Sequence, residues 1–290
     1  MTYLCSAPRD GKKRAANEGA NLALCFNFKH LRLRPVLSSS LRNTTMDRIL
    51  AFTSGPKDWR KLLADPVKHW RPGYSARTLA YCWEASEGFP PEVAAPFTQY
   101  SDPLMADLVP ILAVPEFKVP LPGGVRASQN DIFVLARSAA GPVSIMVEGK
   151  VNESFGPTLD EWTYEASAGK KKRLGFLLRK LGLTAQLPGT IRYQLLHRAA
   201  SAVITGEQYH AAAAVLLIHS FSREFTGWED YQAFTRLFEV EAKPGTIQRL
   251  NAGSGIPLFT VWVVGDPIFF KADCSGLKYT YKRFDVIHSP

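Results

Sequence analysis

The clearest pattern in the chain is the run "VSIMVEGKV", residues 143–151, where Val143, Ile145, Val147, Gly149 and Val151 alternate with Ser144, Met146, Glu148 and Lys150. Alternation of period two predicts a strand. It puts Glu148 and Lys150 on one face, one pleat apart, at the end of an otherwise apolar element. Two shorter runs precede it: "EFKVPL" at 116–121, closed by Pro122-Gly123-Gly124, and "NDIFVLA" at 130–136. A turn over residues 137–142 then leads into the third. Short connections between three such runs predict an antiparallel meander.

Helical spacing dominates elsewhere. "SARTLAYCWEAS" (75–86) follows Pro72-Gly73 and puts Ala76, Leu79, Ala80 and Trp83 on one face. A second helix is expected through "DPLMADLVPILA" (102–113), with Pro103 in its first turn. Thr158 and Glu161 have the spacing of a capping box. The helix they open should break near Gly169 and continue through "KKKRLGFLLRKLGL", with Leu174, Leu177, Leu178 and Leu181 inward. "TIRYQLLHRAASAVIT" is a further helix with Ile191, Leu195, Ala199, Ala202 and Val203 at core spacing. "AAAAVLLIHSF" and "LFTVWVVGD" read as buried strands, separated by a helix through "WEDYQAFTRLF" capped by Thr226. The order is helix, three strands, helices, strand, helix, strand. It predicts an α/β domain with helices on both faces of a mixed sheet.

The 290 residues suit one large domain or two small ones, and the 46% hydrophobic and 21% charged content is that of a globular protein. No run of about 18 apolar residues offers a membrane span. Cys5, Cys25, Cys82 and Cys274 lack CxxC spacing, which points to a reducing, cytoplasmic setting and away from structural zinc. The six histidines form no HxxxH or HExxH pair. Of the net charge of +9, residues 1–45 supply +6 (eight Lys or Arg, two acids), so the other 245 residues carry about +3. The basic pI is therefore weak evidence that the main body binds nucleic acid. That first segment has no sustained period. It reads as a disordered basic arm or as an over-extended start before Met46, dispensable for the fold either way, with residues 46–290 forming a single domain.

Asp131 opens the second strand, and Glu148-Gly149-Lys150 closes the third. A hairpin brings them together. This constellation, in this element order, resembles the PD-(D/E)XK nuclease superfamily and an uncharacterised bacterial domain family placed in it, over roughly residues 75–265. The resemblance implies a restriction-endonuclease-like core of αβββαβ order with an extra αβ unit. It implies a metal-dependent nuclease that hydrolyses phosphodiester bonds. Asp131, Glu148 and the backbone carbonyl of Gly149 would ligate Mg²⁺, for which Mn²⁺ would substitute. Lys150 would orient the attacking water or stabilise developing charge. Asn130 stands where the superfamily name has proline. A further acidic ligand is expected at Glu84, with Glu87 and Glu116 as alternatives. Tyr193 or Gln194 would reach the site from the helix after the motif, with Arg198 one turn beyond Gln194.

Substrate contacts are assigned to Gln194, Arg198, Lys170, Lys171, Lys172 and Arg173, the last four reading equally as a solvated helix face. The implied partner is nucleic acid, DNA ahead of RNA. A homodimer stays open. The alternative is a nuclease fold that has lost catalysis and serves as a nucleic-acid-binding or protein-interaction module. Bland readings are kept for His197 and His219 as surface or core-edge residues, and for Trp83, Trp162 and Trp228 as core. Without metal, Asp131 and Glu148 should repel, so that one titrates above its ordinary value. Glu148→Gln should then leave the metal-free fold at least as stable.

Overall fold

The expected meander forms half of a single six-stranded sheet. In the computed structural model, residues 49–278 are described, apart from 185, 254, 272 and 275. The basic segment 1–45 therefore lies outside the described residues. In chain order the elements are α1 (Pro56–Trp59), α2 (Pro66–His69), α3 (Ser75–Glu84), α4 (Pro91–Thr98), β1 (Val109–Val119), β2 (Ser128–Ser138), β3 (Gly141–Lys150), α5 (Leu159–Thr163), α6 (Ala168–Leu181), α7 (Tyr193–Gln208), β4 (Ala213–Ser220), α8 (Trp228–Arg236), β5 (Gln248–Leu250) and β6 (Leu258–Val264). The strand order is β1-β2-β3-β4-β6-β5. β1, β2 and β3 pair antiparallel, β3, β4 and β6 parallel, and β5 antiparallel to β6. The protein is thus α/β, with a mixed sheet flanked by helices.

Two apolar layers clamp the sheet. Leu79 and Trp83 of α3 and Val93 and Phe97 of α4 pack with Val143, Ile145 and Val147 on one face. Leu195, Ala199 and Val203 of α7 pack with Met146, Leu216 and Ile218 on the other. Strands buried on both faces read as continuous apolar runs, and "AAVLLIHS" in β4 is buried throughout.

Four expectations need correction. Residues 102–113 form no helix. Residues 109–119 are the first strand, longer than the 116–121 expected, with a register shift between Pro110 and Leu112. A sheet edge tolerates prolines that lack a ladder donor, and β1 is an edge strand holding Pro110 and Pro115. The chain at Ile49–Ala51 braces part of that edge, through Ala113 N–H to the Ile49 carbonyl (2.8 Å) and Ala51 N–H to the Ala113 carbonyl (2.9 Å). The turn before β3 is shorter than expected, because Gly141 and Pro142 already pair with Ser138 and Arg137. The cap of α8 is Gly227 at φ 86°, not Thr226, whose hydroxyl instead accepts from Ser222 Oγ at 3.0 Å.

The capping box at Thr158 and Glu161 is present, and the helix breaks between Thr163 and Ala168. α1, α2, α4 and β5 have no counterpart in the sequence reading. Each is ten residues or fewer, too short for a periodic signal.

Candidate functional site

The site begins where two strands part. β2 and β3 pair from Ser138↔Gly141 to Ile132↔Val147 and no further. Beyond that pair the Gly149 N–H donates to Asp131 Oδ2 at 2.7 Å, so a side chain replaces the backbone ladder. Within a strand the N–H and C=O of one residue share a side. The Lys150 carbonyl accepts from Phe221 N–H on the β4 side, which turns the Gly149 carbonyl toward β2. The gap opens into a cavity of about 320 Å³ lined by Glu116, Asp131, Glu148, Lys150, Gln194 and Arg198, among others.

Glu148 and Lys150 do share a face, and both are buried, at 2% and 5% exposure. Glu148 Oε1 accepts from Lys150 Nζ at 2.8 Å and from Gln194 Nε2 at 2.7 Å. Its Oε2 accepts from Arg198 Nε, and Arg198 also reaches Ser128 Oγ at 3.3 Å. Lys150 further donates to Gln194 Oε1 at 3.1 Å and lies 4.8 Å from the Phe155 ring centroid. Burial pushes the Glu148 carboxyl up, but Arg198 and Lys150 outweigh it and hold it below the ordinary carboxylate range. The Arg198 guanidinium, disfavoured by burial, is raised by Glu148 and Asp131 in return.

Asp131 is the strained member. Burial, then Glu148, then Glu116 push its carboxyl well above the ordinary value, and Arg198 and Lys150 offset this only in part. Glu116 faces it across the β1–β2 pair, between Pro115↔Ile132 and Phe117↔Asn130. Its φ of 54° is left-handed, a conformation that costs a non-glycine residue energy and interrupts the pleat. Such irregularities re-aim side chains beside functional sites. Here the Glu116 carboxylate enters the cavity and accepts from Gln129 Nε2. Burial pushes Glu116 up to about 7, with Gln129 and Arg198 pulling the other way.

The expected third acid is therefore placed at Glu116, not Glu84. Glu84 Oε1 accepts from Trp59 Nε1 at 2.8 Å and Thr53 Oγ1 at 2.9 Å, and the residue lines a different cavity. The basic run does not reach the site. Arg173 donates to the carbonyls of Pro122, Leu121 and Gly124 and pins the β1–β2 connection. Lys170 Nζ donates to the Trp162 carbonyl at 2.9 Å, and Lys171 and Lys172 are exposed. Gln194 and Arg198 both line the cavity, where they bind Glu148. Tyr193 stacks on Trp162 (4.0 Å) and meets His197 at a tilt (4.9 Å), so its ring is part of a packed aromatic wall. Glu153 accepts from Ser75 N–H (2.8 Å) and Val151 N–H (2.9 Å) and ties β3 to the start of α3.

The profile of one protein family matches residues 52–267, most of the chain and all of the elements from α1 to β6. The chain belongs to that family, described as a domain of unknown function, DUF6946. No curated protein and no solved structure matches it. Among the described residues of this DUF6946 protein no helix is long and apolar enough to cross a membrane.

A second polar cluster lies across the sheet. Cys82, Glu92 and His219 place ligand-type atoms within 4.8 Å of one another. His219 is fully buried, not at the surface or core edge as expected. Trp83 Nε1 donates to its Nδ1 at 3.2 Å, so the neutral ring carries its proton on Nε2, which meets Glu92 Oε1 at 3.2 Å. Both nitrogens are thereby occupied. The cluster is a hydrogen-bonded chain that anchors α3 and α4 to β4, and His219 as placed offers no lone pair to a metal.

Proposed function

We propose that this protein is a metal-dependent nuclease with a restriction-endonuclease-like core, acting on DNA ahead of RNA. The observation that carries the reading is the convergence of Asp131, Glu148, Lys150 and Gln194 on one cavity at the parting of β2 and β3. Composition gives no such convergence by chance of burial alone, because charged groups are excluded from cores unless paired or bound.

The donor set suits a hard divalent cation. Among the described residues, Asp131 Oδ1 and Glu116 Oε1 accept no hydrogen bond, and both carboxyls are held above their ordinary values, first by burial and then by the Glu148 carboxylate. Asp131, Glu116 and the Gly149 carbonyl would hold Mg²⁺ or Mn²⁺, with Glu148 joining if its basic partners shift. Such an ion neutralises phosphate charge and lowers the pKa of a bound water. The chain's own groups do the rest. Lys150 projects an ammonium into the cavity and orients the attacking water or stabilises developing charge. Glu148 and Gln194 fix that ammonium in place. Arg198 balances Glu148 and sets the local charge near neutral.

One observation favours the alternative, a fold that binds without cutting. Both Glu148 oxygens are already engaged by Arg198, Lys150 and Gln194. Purified protein incubated with Mg²⁺ or Mn²⁺ and mixed DNA and RNA substrates separates the two. Cleavage that disappears in Asp131→Asn and Lys150→Ala supports the nuclease; no cleavage under any of these conditions leaves the binding module.

A further inference from the structure

The carboxylate cavity continues into a second one of about 460 Å³. His69, Tyr74, Lys150, Glu153 and Gln194 line both, so the two are compartments of one cleft. One wall is α7, with Tyr193 braced by Trp162 and His197. The other is the segment from α2 to the start of α3. Its side chains Lys68, His69 and Tyr74 line the second compartment, and among the described residues none of the three makes a hydrogen bond, ion pair or ring contact. An aromatic ring, an imidazole and an ammonium thus face the cleft with no side-chain partner among the described residues.

We infer that this cleft takes single-stranded nucleic acid, with a base against Tyr74 and His69 and its neighbouring phosphate near Lys68; this rests on reading the carboxylate cavity as a phosphodiester site. Two physical reasons carry it. First, the reacting groups are recessed: Glu148 and Lys150 are only 2% and 5% exposed, beneath the 63–76 wall. A duplex is stiff and keeps its phosphates on the outside of a wide rod, so it cannot bring one into such a recess without unpairing. A single strand bends freely and can. Second, the wall over the cleft carries the side chains Lys68, His69 and Tyr74, the groups that grip a flexible strand. An uncommitted aromatic beside a cation is how single strands are gripped, because every base has a stacking face.

Fluorescence anisotropy tests this with labelled 20-mers of single-stranded DNA, single-stranded RNA and blunt duplex DNA, with Ca²⁺ present so that no cleavage is required. The expected result is that one or both single strands bind about tenfold or more tighter than duplex. Tyr74→Ala should remove most of that preference, while Tyr74→Phe, which keeps the ring, should retain it. The Tyr74 side chain caps no helix, so both variants should fold; if thermal melting shows otherwise, His69→Ala replaces them. Duplex binding as tight as single-strand binding, no binding of either, or a preference untouched by Tyr74→Ala, overturns the inference. A single-strand preference without cleavage in Mg²⁺ or Mn²⁺ would keep this inference and sink the nuclease reading.

Discussion

At the scale of single residues, the four acids of the cavity divide into two kinds. Glu148 is a satisfied anion, and Glu153 is committed to backbone N–H groups. Asp131 and Glu116 are the uncompensated ones. Glu148→Gln therefore does not leave the metal-free fold as stable as the parent, because it leaves Arg198 and Lys150 buried without their counter-charge. Breaking a buried pair in this way costs about 3–5 kcal/mol, so urea melts of Glu148→Gln should show a large loss. Glu116 behaves oppositely. Its folded pKa is raised from 4.5 to about 7, so its protonation supports the fold below pH 4.5 and that support is lost as pH rises toward 7. Glu116→Gln removes the loss. The variant should match the parent near pH 4.5 and melt about 2–4 °C higher above pH 7 in EDTA, for roughly each kcal/mol regained. Glu148 runs the other way, its contribution present at neutral pH and fading as pH falls through its lowered pKa. A melting difference between Glu116→Gln and parent that does not change with pH would contradict the assignment.

At the scale of elements, the site depends on where pairing stops. Gly149 is the hinge of this arrangement. Its N–H holds Asp131, and a Cβ added there would meet Leu79 Cδ2 at 3.1 Å and Asp131 Oδ2 at 3.3 Å. Leu79 sits in the packed face of α3 and cannot give way freely. Gly149→Ala should therefore cost about 1–3 kcal/mol in thermal melts, as small overpacking does. It should also shift Asp131 and depress any cleavage more than stability alone explains. Stability and activity unchanged in this variant would show that α3 and Asp131 are not coupled through Gly149. The capping box of α5 makes a smaller claim. Thr158→Ala should cost about 1 kcal/mol with no effect on the site, because the box serves only the helix start.

For the whole molecule, metal linkage is the sharpest test. An ion bound only by the native site stabilises the fold by about 2.7 kcal/mol at a hundredfold excess over its dissociation constant. Mg²⁺ or Mn²⁺ should raise the melting temperature of the parent and leave Asp131→Asn where it is. Equal shifts in both would place the ion elsewhere. The same melts bear on the Cys82–Glu92–His219 chain. Zn²⁺ should give no shift that Cys82→Ala abolishes, because both His219 nitrogens are already hydrogen-bonded.

Local pattern alone determined much of this protein. Period-two alternation placed β2 and β3, helical spacing placed α3, α6 and α7, and the capping pair at Thr158 and Glu161 marked a helix start, because each signal is carried within a few neighbouring residues. It also put Glu148 and Lys150 at the end of β3 and Asp131 near the start of β2, which begins earlier than the pattern suggests, at Ser128. The apolar spacing of residues 102–113 suits a helix, yet from Val109 on the chain pairs with β2, which propensity does not contain. Glu116 over Glu84 was likewise decided in three dimensions, by a left-handed residue that turns one carboxylate inward while Trp59 and Thr53 hold the other away. Two partners of Glu148, Gln194 and Arg198, come from α7, some fifty positions on, and the wall of Lys68, His69 and Tyr74 meets α7 only once the sheet has brought them together. Charges in a strand announce that something must compensate them; which residue does so is a matter of long-range packing.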